Sequence, residues 1–365
     1  MATQIDLPYA SIADTSAALR QGRLSPAALT ERCLQRIEAL NPTLNAFITV
    51  TADLAREQAH EAEREMHAGH WRGALHGIPV AVKDFFDTAG IRTTAAFEPF
   101  RNRIPSLDAD VVVKLREAGA VLLGKTNMHK LGMGTTSLDS AFGPVINPWN
   151  ADHVAGGPSG GSAVAVPAGP CFATIDTDAI GSARLPAAIC GVTCLKPSYG
   201  RLSAAGILDG EQADPAIVLL SHPCVTARSA QDVALVMQAL LETTEEAARS
   251  DGVRRIGIAS NFAGSSDVKA AFQAAREGIE MMGLVVSEVA VPFESAAFDV
   301  GKIDHDRATI NADLFANIDV IALPPRTAAT PTIEQARAIG DMAVAADNTF
   351  FCNYFGLPAI SLASG

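Results

Sequence analysis

The chain has 365 residues, enough for one large core or two smaller ones. Apolar residues make up 48% and charged residues 19%, which excludes a disordered tail protein and a coiled coil. With 28 basic against 40 acidic side chains the formal charge is −12, so phosphate backbones and anionic membranes are repelled. In chain order, the first seventy residues read as helices. Ser25-Pro26 is a start signal, Leu29, Cys33, Ile37 and Leu40 recur at helical steps, and Asn41-Pro42 is expected to stop the helix. Residues 52–68 form a second, more charged helix. From Gly77 the pattern changes to a short buried strand, Ile78 to Val82, leading into Lys83-Asp84. A helix at 108–118 precedes a strand at 120–124, and 231–242 is helical. Strands at 255–259, 285–286, 289–291 and 319–323 alternate with a helix at 267–282 and are expected to continue the same sheet. This alternation predicts an α/β fold with a mixed or parallel sheet covered by helices on both faces. No repeat or low-complexity linker divides the chain, so one large domain over residues 1–365 is expected.

The six cysteines (Cys33, Cys171, Cys190, Cys194, Cys224, Cys352) are scattered and contain no CxxC pair, the pattern of reduced, buried thiols in a cytoplasmic protein. MATQIDLPYAS lacks a basic start followed by an apolar run, and no stretch of eighteen apolar residues occurs. His60, His67 and His70 fall on a charged, solvated helix with no converging cysteine or carboxylate, so no metal site is expected there. His129 and His153 flank the glycine-rich region without being required by its chemistry. Met128, Met133 and Phe142 suit either an apolar pocket or the core.

Glycine, serine and threonine are densest between 124 and 206, where backbone is brought close to a ligand. Three segments stand out: GIPVAVKDFFDTAGIRTT (77–94), AGGPSGGSAVAV (155–166) and TIDTDAIGSARLPAAICG (174–191). A phosphate loop is disfavoured, since Gly161 is followed by Ser162-Ala163 rather than Lys and a hydroxyl residue. A dinucleotide fingerprint needs a preceding strand, and NPWNADHVA is turn-rich.

The order and spacing of these segments, with LGKTNMHKLGMGTTS (123–137), FGPVINPWN (142–150) and LKPSYGRLS (195–203), resemble the amidase signature family of serine hydrolases. The likeness runs from the N-terminal helices to about residue 230 and continues weakly beyond. It implies the family's fold: a single domain with a mixed, mostly parallel sheet. On that likeness, 1–75 is a helical N-terminal portion, 76–230 the signature core and 231–365 a shortened C-terminal portion. In that family a lysine after a strand, a serine in a Gly-Gly-Ser-Ser-Gly-Gly loop and a nucleophilic serine 24 residues later form the catalytic triad. The resemblance therefore implies Lys83 as base, Ser182 as nucleophile, and the N–H groups around Ala179, Ile180, Gly181 and Ser182 as an oxyanion hole. Asp178 would hold this turn by hydrogen bonds and Arg184 would be structural. Gly157, Met133 and Gly134 would join the substrate-binding surface. A serine hydroxyl needs a base to take its proton, and lysine serves only where burial lowers its pKa.

Position 158, 24 residues before Ser182, is proline, where the family places its bridging serine. Proline has no hydroxyl to relay a proton. Three outcomes follow: Ser159 or a water substitutes, slow hydrolysis proceeds through direct Lys83–Ser182 contact, or the chain is inactive. Ala179-Ile180 also replaces the usual Thr-Gly pair, and Ile180 narrows the space beside the scissile carbonyl. Residues 301–312 stand where a larger substrate-lining segment is common, and the chain stops soon after GLPAISL. The expected activity is cleavage of small-molecule amides, carbamates (as in urethanases) or esters, without cofactor or metal, by a monomer or homodimer with no nucleic-acid or membrane partner. The alternatives are a partner-dependent glutaminase component of an amidotransferase and a non-catalytic binding protein.

Overall fold

Ser25 starts the first long helix as its side chain suggests: the hydroxyl accepts from the Ala28 N–H at 3.2 Å and Pro26 takes the first helical position. The helix runs Pro26–Leu44 rather than stopping at Asn41-Pro42. Pro42 sits in the final turn, where it forfeits a single backbone hydrogen bond. Asn45, left-handed at φ 50°, then closes the helix by donating to the Asn41 carbonyl at 2.8 Å. The computed structural model describes residues 9–212, 214–241, 252–293, 299 and 301–363. The MATQIDLP stretch, position 242 of the expected 231–242 helix, and the last two positions lie outside the described residues.

Ten strands are described: β1 (Phe47–Val50), β2 (Pro79–Lys83), β3 (Val121–Thr126), β4 (Ala173–Asp178), β5 (Thr193–Lys196), β6 (His222–Ala227), β7 (Arg255–Ala259), β8 (Val285–Val289), β9 (Val320–Ala322) and β10 (Ala359–Ser361). Seven form a mixed sheet in the order β1-β3-β2-β4-β6-β5-β10. Its parallel pairs are β3-β2 and β2-β4 at the centre, and the outer pairs are antiparallel. Every residue of β2, β3, β4 and β6 is buried, so both faces of this sheet are covered.

β1 lies in the stretch read as helical. Its β-branched Ile48, Thr49 and Val50 suit a strand, and Phe47, Thr49 and Val50 pair with Thr126, Lys125 and Gly124 of β3. Gly124 permits the close approach: at φ +151° it carries no Cβ, which would otherwise lie 2.1 Å from the Thr49 carbonyl oxygen.

β7, β8 and β9 do not extend the main sheet as expected. They form a separate parallel sheet in the order β8-β7-β9. The crossovers that parallel pairing requires are supplied locally by helices Ser266–Met281 and Ile303–Leu314, so these strands close on one another.

The main core surrounds the seven-stranded sheet. A second apolar cluster, which includes Leu220, Ile303, Ile310, Phe351, Tyr354 and Phe355, packs against Ala179 and Ile180. The bend that carries Ser182 therefore rests on chain from the C-terminal third.

Candidate active site

Lys83 is the last residue of β2, fully buried, with its position fixed by register. Val80, Ala81 and Val82 pair with Ala173, Thr174 and Ile175 of β4, so one further step sets Lys83 alongside Asp176 and Thr177. Its Nζ donates to Thr177 Oγ1 at 2.9 Å and lies 5.0 Å from the centre of the Phe85 ring. Burial pushes the ammonium down to about 8, against the opposing pull of Asp176, Cys224 and Asp178. Asp176 is itself raised by burial, although Ser162, Lys83, Thr174 and Thr226 all favour its charged form. Thr174 and Thr226 each donate to Asp176 Oδ2 at 2.8 Å. Asp176 and Thr177 were not singled out in the sequence. The β2–β4 pairing that reveals them has no signature in either segment alone.

β4 leads into a tight bend, Ala179 to Ala183, ahead of helix Arg184–Cys190. Gly181 has φ +130°, and a Cβ there would fall 2.4 Å from Thr349 Oγ1, so glycine is required. Asp178 organises the bend. Its carboxylate accepts from the Gly181 N–H at 2.8 Å, from the Ala183 and Arg184 N–H groups at 3.3 Å, and from two Arg184 guanidinium nitrogens at 2.9 Å. Burial alone would raise Asp178, but the charge and hydrogen bonds of Arg184, with Lys196 and Asn353, hold it well below the usual carboxylate range. Arg184 correspondingly stays charged.

The C-terminal segment completes the framework. Asn353 donates to the Asp178 carbonyl at 2.8 Å and to its carboxylate at 3.0 Å, and it accepts from Arg184 at 2.6 Å. Thr349 Oγ1 donates to the Ile180 carbonyl at 2.5 Å. Sequence reading missed both residues, since they lie 169 and 175 positions from the groups they hold.

The N–H groups of the bend divide clearly. The Gly181 N–H, expected to face an oxyanion, is committed to Asp178, because the side chain three residues earlier reaches it first. Among the described residues no partner is found for the N–H groups of Ala179, Ile180 and Ser182. Ser182 is 5% exposed and its hydroxyl has no partner among the described residues.

The glycine-rich loop lies against this bend. Ser159 N–H donates to the Ser182 carbonyl at 3.1 Å, and Ser159 Oγ is buried without a partner. The Gly157-Pro158 peptide is cis, and the Pro158 carbonyl accepts from His129 N–H at 3.0 Å and Ser137 Oγ at 3.2 Å. A Cβ on Gly157 would fall 2.6 Å from Ser137 Oγ, so Gly157 serves close packing of the loop. Gly134 covers the His129 ring, where a Cβ would lie 2.3 Å from the imidazole. Met133 is 60% exposed, at the end of the turn Lys130–Gly132, and so is not core. Met128, by contrast, is fully buried, while Phe142 lies 4.6 Å under Arg101. Ser159 thus meets the bend at the Ser182 carbonyl, Lys83 lies against Thr177 of β4, the strand that leads into that bend, and Met133 stands at the surface. All six cysteines are free and buried, and His60, His67 and His70 are exposed.

Residues 28–303 match the Amidase family. The chain belongs to that family. Among curated relatives of this amidase-family chain, the A subunit of glutamyl-tRNA(Gln) amidotransferase from Halorhodospira halophila is 40% identical over 307 residues, covering 77% of the chain and 60% of the relative. Its mitochondrial counterpart from Canis lupus familiaris is 37% identical over 323 residues, 78% of the chain and 60% of the relative. The chain thus spans about three fifths of the length of these relatives. A solved structure described as an amidase superposes with TM-score 0.80 at 28% identity, covering 97% of this chain and 92% of that one. The peptide amidase of Stenotrophomonas maltophilia gives TM-score 0.79 at 25% identity, covering 97% and 90%. Among the described residues, no helix is long and apolar enough to cross a membrane.

Proposed function

We propose that this amidase-family chain hydrolyses carbon–nitrogen bonds of small amides through an acyl-enzyme on Ser182. Lys83 accepts the serine proton as Oγ adds to the carbonyl carbon, and the resulting oxyanion meets the unpaired N–H groups of the 179–182 bend. The lysine proton then passes to the departing amine nitrogen as the C–N bond breaks. Water, deprotonated by Lys83, opens the ester to acid and free Ser182. The observation that carries this reading is Lys83 itself: buried, lowered to about 8, and one strand away from a bend with uncommitted donors.

Pro158 leaves the usual proton bridge without a hydroxyl, and Ser159, whose Oγ is buried and unpartnered beside Ser182, is the group we assign to that task. Turnover is accordingly lower than with serine at 158. Carbamates (urethanes) and esters present the same carbonyl and fall within the same reading. The apolar packing of Ala179 and Ile180 favours compact substrates.

A second reading, a glutamine-hydrolysing component that hands ammonia to a partner, draws its support from the 37–40% identity to amidotransferase A subunits. The formal charge of −12 favours the free-standing enzyme. Simple amides, carbamates and esters, and glutamine with and without tRNA, should be assayed alongside a serine-directed fluorophosphonate probe. Labelling of Ser182 with tRNA-independent hydrolysis of small amides supports the first reading. Ammonia release from glutamine that depends on tRNA supports the second. No labelling, even in Pro158→Ser, would overturn both.

A further inference from the structure

We propose that His129, Asp139 and Asp341 form a binding site for one divalent transition-metal ion of the zinc class. One ligand atom from each residue lies within 4.8 Å of the others. His129 is fully buried, its Nε2 has no hydrogen-bond partner among the described residues, and that nitrogen faces Asp341 Oδ1 at 3.7 Å. Buried polar atoms are nearly always satisfied, so a buried imidazole nitrogen without a hydrogen-bond partner, directed at the Asp341 carboxylate, is available to a cation held between them. A tetrahedral ion with ligands at about 2.0–2.2 Å sets neighbouring donors about 3.4 Å apart. The observed His129–Asp341 separation needs only a small closure to reach that value.

The backbone builds the site before any ion arrives. His129 N–H is tied to the Pro158 carbonyl at 3.0 Å, Lys130 N–H to the Asp139 carbonyl at 2.8 Å, and Thr135 N–H to the Asp341 carbonyl at 2.7 Å. Thr136 Oγ1 stands 3.4 Å from His129 Nδ1. In the tautomer that donates from Nδ1 to this hydroxyl, the Nε2 lone pair is left free on the side of Asp341, and a hydrogen bond from the other ring nitrogen is the usual outer support of a metal-bound histidine. One imidazole with two carboxylates suits zinc better than magnesium or calcium, which prefer all-oxygen sets. The present counter-charge is the Lys130 ammonium, paired with Asp139. Its side chain is 44% exposed and can turn to water when a cation replaces it.

The test is titration of the chelator-treated full chain with zinc chloride, read by calorimetry and by competition with a chromophoric zinc chelator. One equivalent should bind. Asp341→Asn and His129→Gln should each weaken binding about tenfold or more, and Lys130→Gln should tighten it. Asp341 is 56% exposed, so its variant tests the site without disturbing the core. A triple His60, His67 and His70→Asn variant should bind as the parent does. Absence of stoichiometric binding, affinity unchanged by both ligand variants, or binding lost in the triple variant would each overturn the proposal.

Discussion

Thr349 Oγ1 donates to the carbonyl oxygen of Ile180 at 2.5 Å, while the N–H on the other side of that same peptide, from Gly181, is held by Asp178 at 2.8 Å. The peptide plane is thus pinned at both ends. The flanking N–H groups of Ile180 and Ser182 remain uncommitted. Replacing Thr349 with Val removes one pin and leaves the other. Kinetics should show kcat reduced about tenfold or more with KM little changed, as expected when a donor needed only in the transition state is misplaced. Thermal unfolding should shift only by the ~0.5–1.5 kcal/mol of one hydrogen bond. Thr349→Ser should restore most of the rate, and equal losses in both variants would disprove the pinning role.

In the proposed mechanism Lys83 sets the pH dependence of the reaction. Its folded-state pKa is lowered to about 8, so the uncharged amine appears as pH rises through that value. A plot of kcat/KM against pH should therefore climb through about 8 and flatten above it. Lys83→Met should abolish the ascending limb together with the activity. A rate already maximal at pH 6 would contradict the assignment.

Pro158 and Ser159 make a paired prediction. Pro158→Ser should raise kcat/KM by about tenfold or more, within the range that a positioned proton carrier contributes. Ser159→Ala in the parent should lower the residual rate, because it deletes the buried, unpartnered hydroxyl of the residue whose N–H meets the Ser182 carbonyl. In the Pro158→Ser background the same alanine should matter less. If Ser159→Ala has no effect in the parent, the relay does not run through it.

The Asp178–Arg184 pair is buried and doubly hydrogen-bonded. Asp178→Ala leaves Arg184 charged in the interior and frees the Gly181 N–H. Denaturant unfolding should report a loss of roughly 3–5 kcal/mol, the usual cost of breaking a buried pair by removing one partner. A change under about 1 kcal/mol would mean that the bend has another anchor.

His222 gives an acid-side signature. Burial, with Lys196 nearby, holds its pKa down from 6.5 to about 3. Between those values the unfolded chain binds a proton that the folded chain refuses, so stability falls as pH drops through 6.5 towards 3. The slope of melting temperature against pH should be shallower in His222→Phe than in the parent. Parallel slopes would assign the acid sensitivity to other groups.

The parts of this site legible in sequence are those whose cause is local. Five apolar letters before Lys83 announce a buried strand. The family resemblance implies the turn at DAIGS, and Ser25-Pro26 announces a helix start. What stayed hidden depends on pairing between distant segments. Thr177 becomes the partner of Lys83 only through the β2–β4 register, and Thr349 and Asn353 reach the bend only because the second apolar cluster folds Phe351 and Tyr354 against Ala179 and Ile180. The alternation of β7, β8 and β9 with helices was visible, but their closure into a sheet of their own was not. Strand letters do not say which edge they will join. Pro42 inside a helix is the opposite case, a strong local stop signal overruled by a favourable cap at Asn45.

Because the bend at Ser182 takes its final shape from Thr349 and Asn353, the timing of synthesis matters. When the ribosome has delivered β4 and Ser182, Thr349 and Asn353 have still to be translated. A growing polypeptide that has passed Ser182 therefore holds this bend without its pins until those two residues follow.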